Sequence, residues 1–121
     1  MPFCLCSTLP GFVYACAGAS ESGALADQAA RWLDERGTVR MGCLAGIAAR
    51  SSGAVATAQT AARVVAIDGC AQDCARRCLE QAGIAVSLHL RLSDLPPARR
   101  TTPPQLRVRQ IGEHARRLLL A

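Results

Sequence analysis

The chain has 121 residues, enough for one domain with a real hydrophobic core but too few for two. Half of the residues are hydrophobic and only four are aromatic (one Trp, one Tyr and two Phe), so the core must be built from alanine, valine, leucine and isoleucine. No apolar run approaches the ~18 residues of a membrane-spanning helix, and the first residues lack the basic region of a secretory signal, so we expect a cytoplasmic protein.

The first half of the chain alternates between predicted strands and helices. Residues 11–15 predict a strand, followed by a small-residue turn and a helix that Ser20 or Ser22 can cap and that Gly37 can end. Residues 38–42 predict a short second strand. The alanine-rich stretch 45–63 predicts a helix in two pieces, broken at residues 51–53.

The second half repeats the alternation and ends in a basic tail. The patterns predict a third strand at 63–67, a helix at 71–82 that Gly83 ends, and a fourth strand at 86–92. Two proline pairs then precede an amphipathic helix, whose predicted apolar face carries Val108, Ile111, Ala115 and Leu118.

This alternation indicates an α/β layered domain with a mostly parallel sheet of about four strands and flanking helices. We divide the chain into an N-terminal extension (1–10), an α/β domain (11–95), and a Pro/Arg-rich linker with a C-terminal amphipathic helix (96–121) that we expect to pack on the domain.

The positive charge is concentrated in the tail. All 14 basic residues are arginines, and the formal net charge is +5. Residues 96–121 contain six arginines and only one acidic residue, Glu113. The tail has no interleaved aromatic residues and no nucleic-acid-binding motif, which argues against nucleic acid. We interpret it as a solvated helix face and leave open an acidic protein partner.

Cysteines follow three of the predicted strands. Cys16, Cys43 and Cys70 each follow a predicted strand, and parallel α/β sheets bind their ligands at the carboxyl ends of strands. Cys70 is also expected at a helix N-terminus, which stabilises a thiolate, with Cys74 on the same helix face. Four convergent sulfurs suit a tetrahedral Zn²⁺ ion. Spacing alone leaves open that these are ordinary core cysteines.

The remaining cysteines are weaker candidates. Cys78 is expected about 12 Å from Cys70 along the helix axis, so it should not share an ion and is better explained as a buried thiol. Cys4 and Cys6 form a C-x-C pair in the N-terminal extension, and their role stays open.

Three segments around the four candidate cysteines resemble one family. Residues 14–20 (YACAGAS), 41–46 (MGCLAG) and 66–75 (AIDGCAQDCA) look like the corresponding motifs of the DGC-domain proteins, named for Asp-Gly-Cys, and residues 89–95 resemble the family's last strand. The resemblance runs from about residue 11 to residue 95. The family is regarded as zinc-binding through four cysteines, which the resemblance places at Cys16, Cys43, Cys70 and Cys74.

Other chemistry receives less support. Asp68 is predicted to cap a helix or shape a turn rather than act as a base. His89 and His114 lack metal-ligand spacing to the cysteines, and no Ser/His/Asp or paired-carboxylate motif supports a hydrolase. Four thiolates would fill the zinc coordination sphere, so we predict a structural or regulatory metal. The alternative is a thiol redox or sulfur-transfer protein in which Cys70 attacks and Cys74 or Cys16 resolves.

Overall fold

A computed structural model describes residues 11–121; the expected N-terminal extension, with Cys4 and Cys6, lies outside the described residues. The strands are β1 (Phe12–Ala15), β2 (Arg40–Met41), β3 (Val64–Asp68) and β4 (Leu88–Arg91). The helices are α1 (Glu21–Glu35), α2 (Leu44–Ala48), α3 (Ser52–Thr60), α4 (Cys74–Gln81) and α5 (Pro104–Leu120), with a 3₁₀ turn at Leu92–Asp94.

The four strands form one sheet in the order β2-β1-β3-β4, and every pairing is parallel. The predicted α/β class and the parallel sheet of four strands are therefore confirmed. In register, Val13 lies opposite both Met41 and Val65. All five residues of β3 are buried, because a central parallel strand is covered by helices on both faces.

Alternation along β3 divides the core into two layers. Val65 and Ile67 pack in the layer that contains α1 and α5, whereas Val64 and Ala66 pack in the layer that contains α2, α3 and α4. This separation follows from the two-residue period of side chains along a strand. Helices therefore cover both faces of the sheet, and the ends of its strands are left available for a site.

Three helix ends match the sequence prediction. The Ser20 hydroxyl caps α1 by accepting a hydrogen bond from the backbone N–H of Gly23 at 3.1 Å. Gly37 and Gly83 have φ values of +71° and +78° just past the ends of α1 and α4, a backbone conformation that glycine adopts without steric cost.

Helix α5 packs against α1, but the predicted apolar face is rotated. Ile111, Ala115 and Leu119 are buried in the core layer of α1. Leu118, which the sequence assigned to that face, is 43% exposed, because Leu119 takes its place at the spacing i+4 from Ala115. The division of the chain at residue 95 stays a prediction.

Helix α4 begins later than predicted. Residues 71–73 form a turn, in which the Asp73 N–H donates to the Cys70 carbonyl at 3.2 Å, and α4 starts at Cys74. Asp73 has a left-handed backbone, with φ of 53°, which prevents the helix from extending back to Ala71. Cys70 therefore does not lie at the helix N-terminus, and the expected shared helix face of Cys70 and Cys74 is wrong.

Within residues 11–121, none of the helices has both the length and the hydropathy needed to cross a membrane.

Candidate functional site

The parallel order of the strands brings three of the candidate cysteines to one edge of the sheet. Cys16 directly follows β1, Cys43 lies two residues after β2, and Cys70 lies two residues after β3. Strands β2, β1 and β3 are adjacent and parallel, so their carboxyl ends share one edge at a spacing of about 4.8 Å per strand.

Cys16 is the most enclosed cysteine of this group. It is half-buried, and its Sγ accepts a hydrogen bond from the Gly69 N–H at 3.3 Å. A Cβ atom on Gly69 would lie 2.7 Å from the Ser22 carbonyl carbon, closer than packed atoms approach. Glycine at residue 69 is therefore what lets the turn after β3 lie against the start of α1 and reach the Cys16 sulfur.

Cys43 is exposed and caps the short helix α2. Its Sγ accepts a hydrogen bond from the Gly46 N–H at 3.4 Å. The preceding residue, Gly42, lies against the buried ring of Tyr14, where a Cβ atom would come within 2.4 Å of Cε2. Burial raises the pKa of the Tyr14 hydroxyl, and the Cys43 thiolate adds to the effect. A neutral Tyr14 thus supports the segment that carries Cys43.

Cys74 is the first residue of α4, and the charges of nearby thiols affect its pKa. The residue as a whole is exposed, yet desolvation of its thiol raises the pKa of Cys74, with further contributions from the Asp68 carboxylate, Cys16 and Cys70. Cys70 is exposed in the preceding turn. Cys78, as expected for a thiol used in packing, is half-buried against the α4 core layer.

Three of the four candidate cysteines follow strands that end at one edge, but the four sulfurs do not form a coordination cluster. Within residues 11–121, the single group of three or more Cys, His, Asp or Glu residues with ligand atoms within 4.8 Å of one another is Asp68, Asp73 and His89. No cysteine belongs to it.

Asp68 is a buried cap for α4. It is 1% exposed, and its carboxylate accepts hydrogen bonds from the backbone N–H groups of Ala75 at 2.7 Å and Arg76 at 3.2 Å. His89 Nε2 lies 2.9 Å from Oδ2 of the same carboxylate. The capping role predicted for Asp68 is confirmed, although the carboxylate reaches α4 from the end of β3 and not from the residue before the helix.

Asp73 is held by β4. Arg91 donates to its two carboxylate oxygens from Nε at 2.8 Å and Nη2 at 2.6 Å, and this hydrogen bonding lowers the pKa of Asp73. His89 Nε2 lies 3.5 Å from Asp73 Oδ1. Both carboxylates are therefore already engaged by N–H donors and a guanidinium, whose positive charge opposes a cation. The arrangement fits an ion-pair network better than a metal site.

Sequence reasoning missed that His89 pairs with Asp68 and that Arg91 pairs with Asp73. The signal that could have found them is the pairing of β3 with β4, in which Ala66 lies opposite His89 and Asp68 opposite Arg91. That pairing places two polar strand residues beside the buried aspartate.

Comparison with known proteins identifies the family of the chain. A model of the family described as the DGC domain matches residues 12–117. The "Anaerobic and virulence modulator AnvM" of Pseudomonas aeruginosa (strain PAO1) is 35% identical over 82 residues, which cover 68% of this chain and 63% of the relative. The match thus spans less than two thirds of that relative's length. No solved structure matches the chain.

Proposed function

This chain belongs to the DGC domain family, and we propose that it binds one zinc ion through Cys16, Cys43, Cys70 and Cys74 in a structural or regulatory role. The observation that carries the proposal is the strand order. Three of the four cysteines follow adjacent parallel strands, and the fourth begins the helix after the last of them.

The donor chemistry fits zinc. Thiolates are soft ligands that favour Zn²⁺, and Cys43, Cys70 and Cys74 are exposed, so their side chains can change rotamer toward a shared ion. Cys16, which is held by the Gly69 N–H, would be the fixed member of the set. Because no three of these sulfurs lie within 4.8 Å of one another, binding has to draw them together.

The role follows from the ligand count. Four thiolates occupy all tetrahedral positions and leave none for water, which argues for a structural or regulatory ion and against a hydrolytic one. The name of the P. aeruginosa relative describes a modulator, in agreement with a regulatory role here.

The second candidate is a thiol redox or sulfur-transfer protein that uses Cys70. The observation in its favour is that Cys70 is exposed and lines a cavity of about 390 Å³. Activation of Cys70 by the α4 N-terminus is not available, since that helix begins at Cys74. Zinc binding therefore stays the favoured function.

We test zinc binding on protein purified without chelator, by measuring zinc per chain together with the melting temperature. C70S and C74S should each lose most of the zinc and melt at a lower temperature, because metal binding contributes to folding free energy. C78A is the matched control on the same helix and should keep its zinc. Equal zinc loss in C78A, or full zinc in C74S, would contradict the ligand set.

Alkylation rates separate the two candidates. In a zinc protein the four thiolates are held by the metal, so their alkylation should be slow and should accelerate after chelation. In a redox protein Cys70 should alkylate quickly without chelation and form a disulfide under mild oxidant. Fast, chelator-independent labelling of Cys70 in the protein as isolated would favour the redox function.

The proposed location and partners of the protein rest on the zinc-thiolate site and on the charge of the tail. We expect a cytoplasmic location, because a zinc-thiolate site is kept reduced there. The metal is the main partner that we propose. The arginine-rich tail offers a surface for an acidic protein, whereas the absence of interleaved aromatic residues and of a binding motif in its sequence argues against nucleic acid.

A further inference from the structure

A basic cavity lies between the segment 95–102 and helix α5. Its volume is about 500 Å³, and its walls include Leu95, Pro97, Thr102 and Ile111. Four of its lining residues are basic: Arg99, Arg107, His114 and Arg117. Among residues 11–121, no aspartate or glutamate lines it. The cavity is therefore a concentrated positive site with an apolar floor.

A second cavity continues from the first toward the cysteines. It has a volume of about 390 Å³ and shares Ala98, Arg107 and Ile111 with the basic cavity, so the two adjoin. Its far side is formed by Ser22 and Cys70. Leu25 and Leu92 give it an apolar wall.

Three arginines of the basic cavity differ from the four arginines of the fold that pair with carboxylates. Arg31, Arg76, Arg91 and Arg109 all pair with carboxylates at 3.1 Å or less. Among the pairs formed within residues 11–121, none involves Arg99, Arg107 or Arg117.

Arg107 stands where the two cavities meet. Its Nη2 donates to the Pro96 carbonyl at 2.9 Å, which anchors the guanidinium and leaves further N–H groups for a ligand. The positive charge of the tail is thus directed into a concave site, in addition to the solvated helix face.

We propose that the adjoining cavities bind a small organic polycarboxylate, with its carboxylates on Arg99, Arg107 and Arg117 and its carbon skeleton against Leu92 and Ile111, beside the Cys70 thiol. Planar guanidinium groups bind carboxylates through paired N–H donors. The combined cavities match the size of sites that take small molecules, about 300–1,000 Å³. The proposal is independent of zinc, because none of these contacts uses a metal.

The first test is calorimetric titration of the full chain with tricarballylate, a tricarboxylate that lacks the metal-chelating hydroxyl of citrate. R107Q should weaken binding about tenfold or more, the effect of losing one charge-assisted hydrogen bond. R100Q is the matched control, because Arg100 is exposed in the same segment and lines neither cavity. It should bind as the wild type does, within about twofold.

The second test measures whether an anion binds next to Cys70. In chelator-treated protein, the ratio of iodoacetate to iodoacetamide reactivity is measured at Cys70 and at Cys78 by mass spectrometry. R107Q should lower the ratio at Cys70 severalfold and leave it unchanged at Cys78, because Cys70, unlike Cys78, lines a cavity together with Arg107. Tricarballylate should slow the iodoacetate reaction at Cys70.

Three results would overturn the proposal. One is equal tricarballylate affinity in wild type and R107Q. Another is equal loss in R100Q and R107Q, which would indicate attraction by net charge alone. The third is a glutamate-rich peptide that binds through Arg107 while tricarballylate does not, which would make the site a protein interface. Zinc content measured on the same samples reports separately on the cysteine site.

Discussion

Removal of the Asp68 carboxylate tests whether this buried group holds the turn that carries Cys70 and Cys74. Asp68→Ala deletes two hydrogen bonds from the first turn of α4 and one contact with His89. A hydrogen bond to a charged group contributes about 1.5–3 kcal/mol. The hydrogen bond to the Ala75 N–H is buried, but the one to the Arg76 N–H is only part-buried, so water replaces part of what is lost there and the lower part of that range applies. We expect a destabilisation of about 3–4 kcal/mol.

Urea denaturation followed by circular dichroism measures this loss directly. The variant should stay folded at room temperature, since domains of this size have about 5–15 kcal/mol of stability. Asp34→Ala is the control: Asp34 is exposed and accepts one hydrogen bond, from the Met41 N–H at 3.3 Å, so its loss should cost less than about 1 kcal/mol. If Asp68→Ala costs no more than Asp34→Ala, Asp68 does not anchor α4.

Three further predictions concern close packing. Gly112→Ala should destabilise the fold by about 1–3 kcal/mol in the same assay, because the new alanine Cβ would lie 2.4 Å from Trp32 Cε3. Unchanged stability would contradict the packing of α5 on α1. Gly69→Ala should lower both the melting temperature and the zinc content, because its methyl group would collide with Ser22; wild-type values for both would show that the turn has room to shift. Deletion of residues 96–121 should expose the apolar α1 face and cause aggregation in light scattering, whereas a monodisperse truncated chain would contradict this.

The sheet and its order of elements were predictable because they depend on patterns local in sequence. The continuous apolar run of β3 reports burial on both faces, and glycines 37 and 83 mark helix ends through their backbone freedom. The same reasoning misplaced the start of α4. A helical pattern ran back to Ala71, but the capping group is the distant Asp68 and not a neighbouring side chain.

The candidate site was predictable only in part, for a related physical reason. A parallel sheet brings the residues after its strands to one edge, so the location of Cys16, Cys43 and Cys70 follows from strand assignment alone. The distances between sulfurs depend on rotamers and turn geometry, which spacing does not encode. His89 and Arg91 were missed because their contact with the 68–73 turn arises from the register of β4 on β3.

The Asp-Gly-Cys triplet places three neighbouring residues in three different environments. Asp68 is buried, and both of its carboxylate oxygens are engaged, by two backbone N–H groups of α4 and by His89. Residue 69 has to be glycine because a Cβ atom would collide with Ser22 at the start of α1. The Gly69 N–H donates a hydrogen bond to the Cys16 sulfur. Only Cys70 faces outward. Asp68 and Gly69 therefore shape and anchor the turn. Cys70 is the member of the triplet whose side chain is placed to bind a metal or to react.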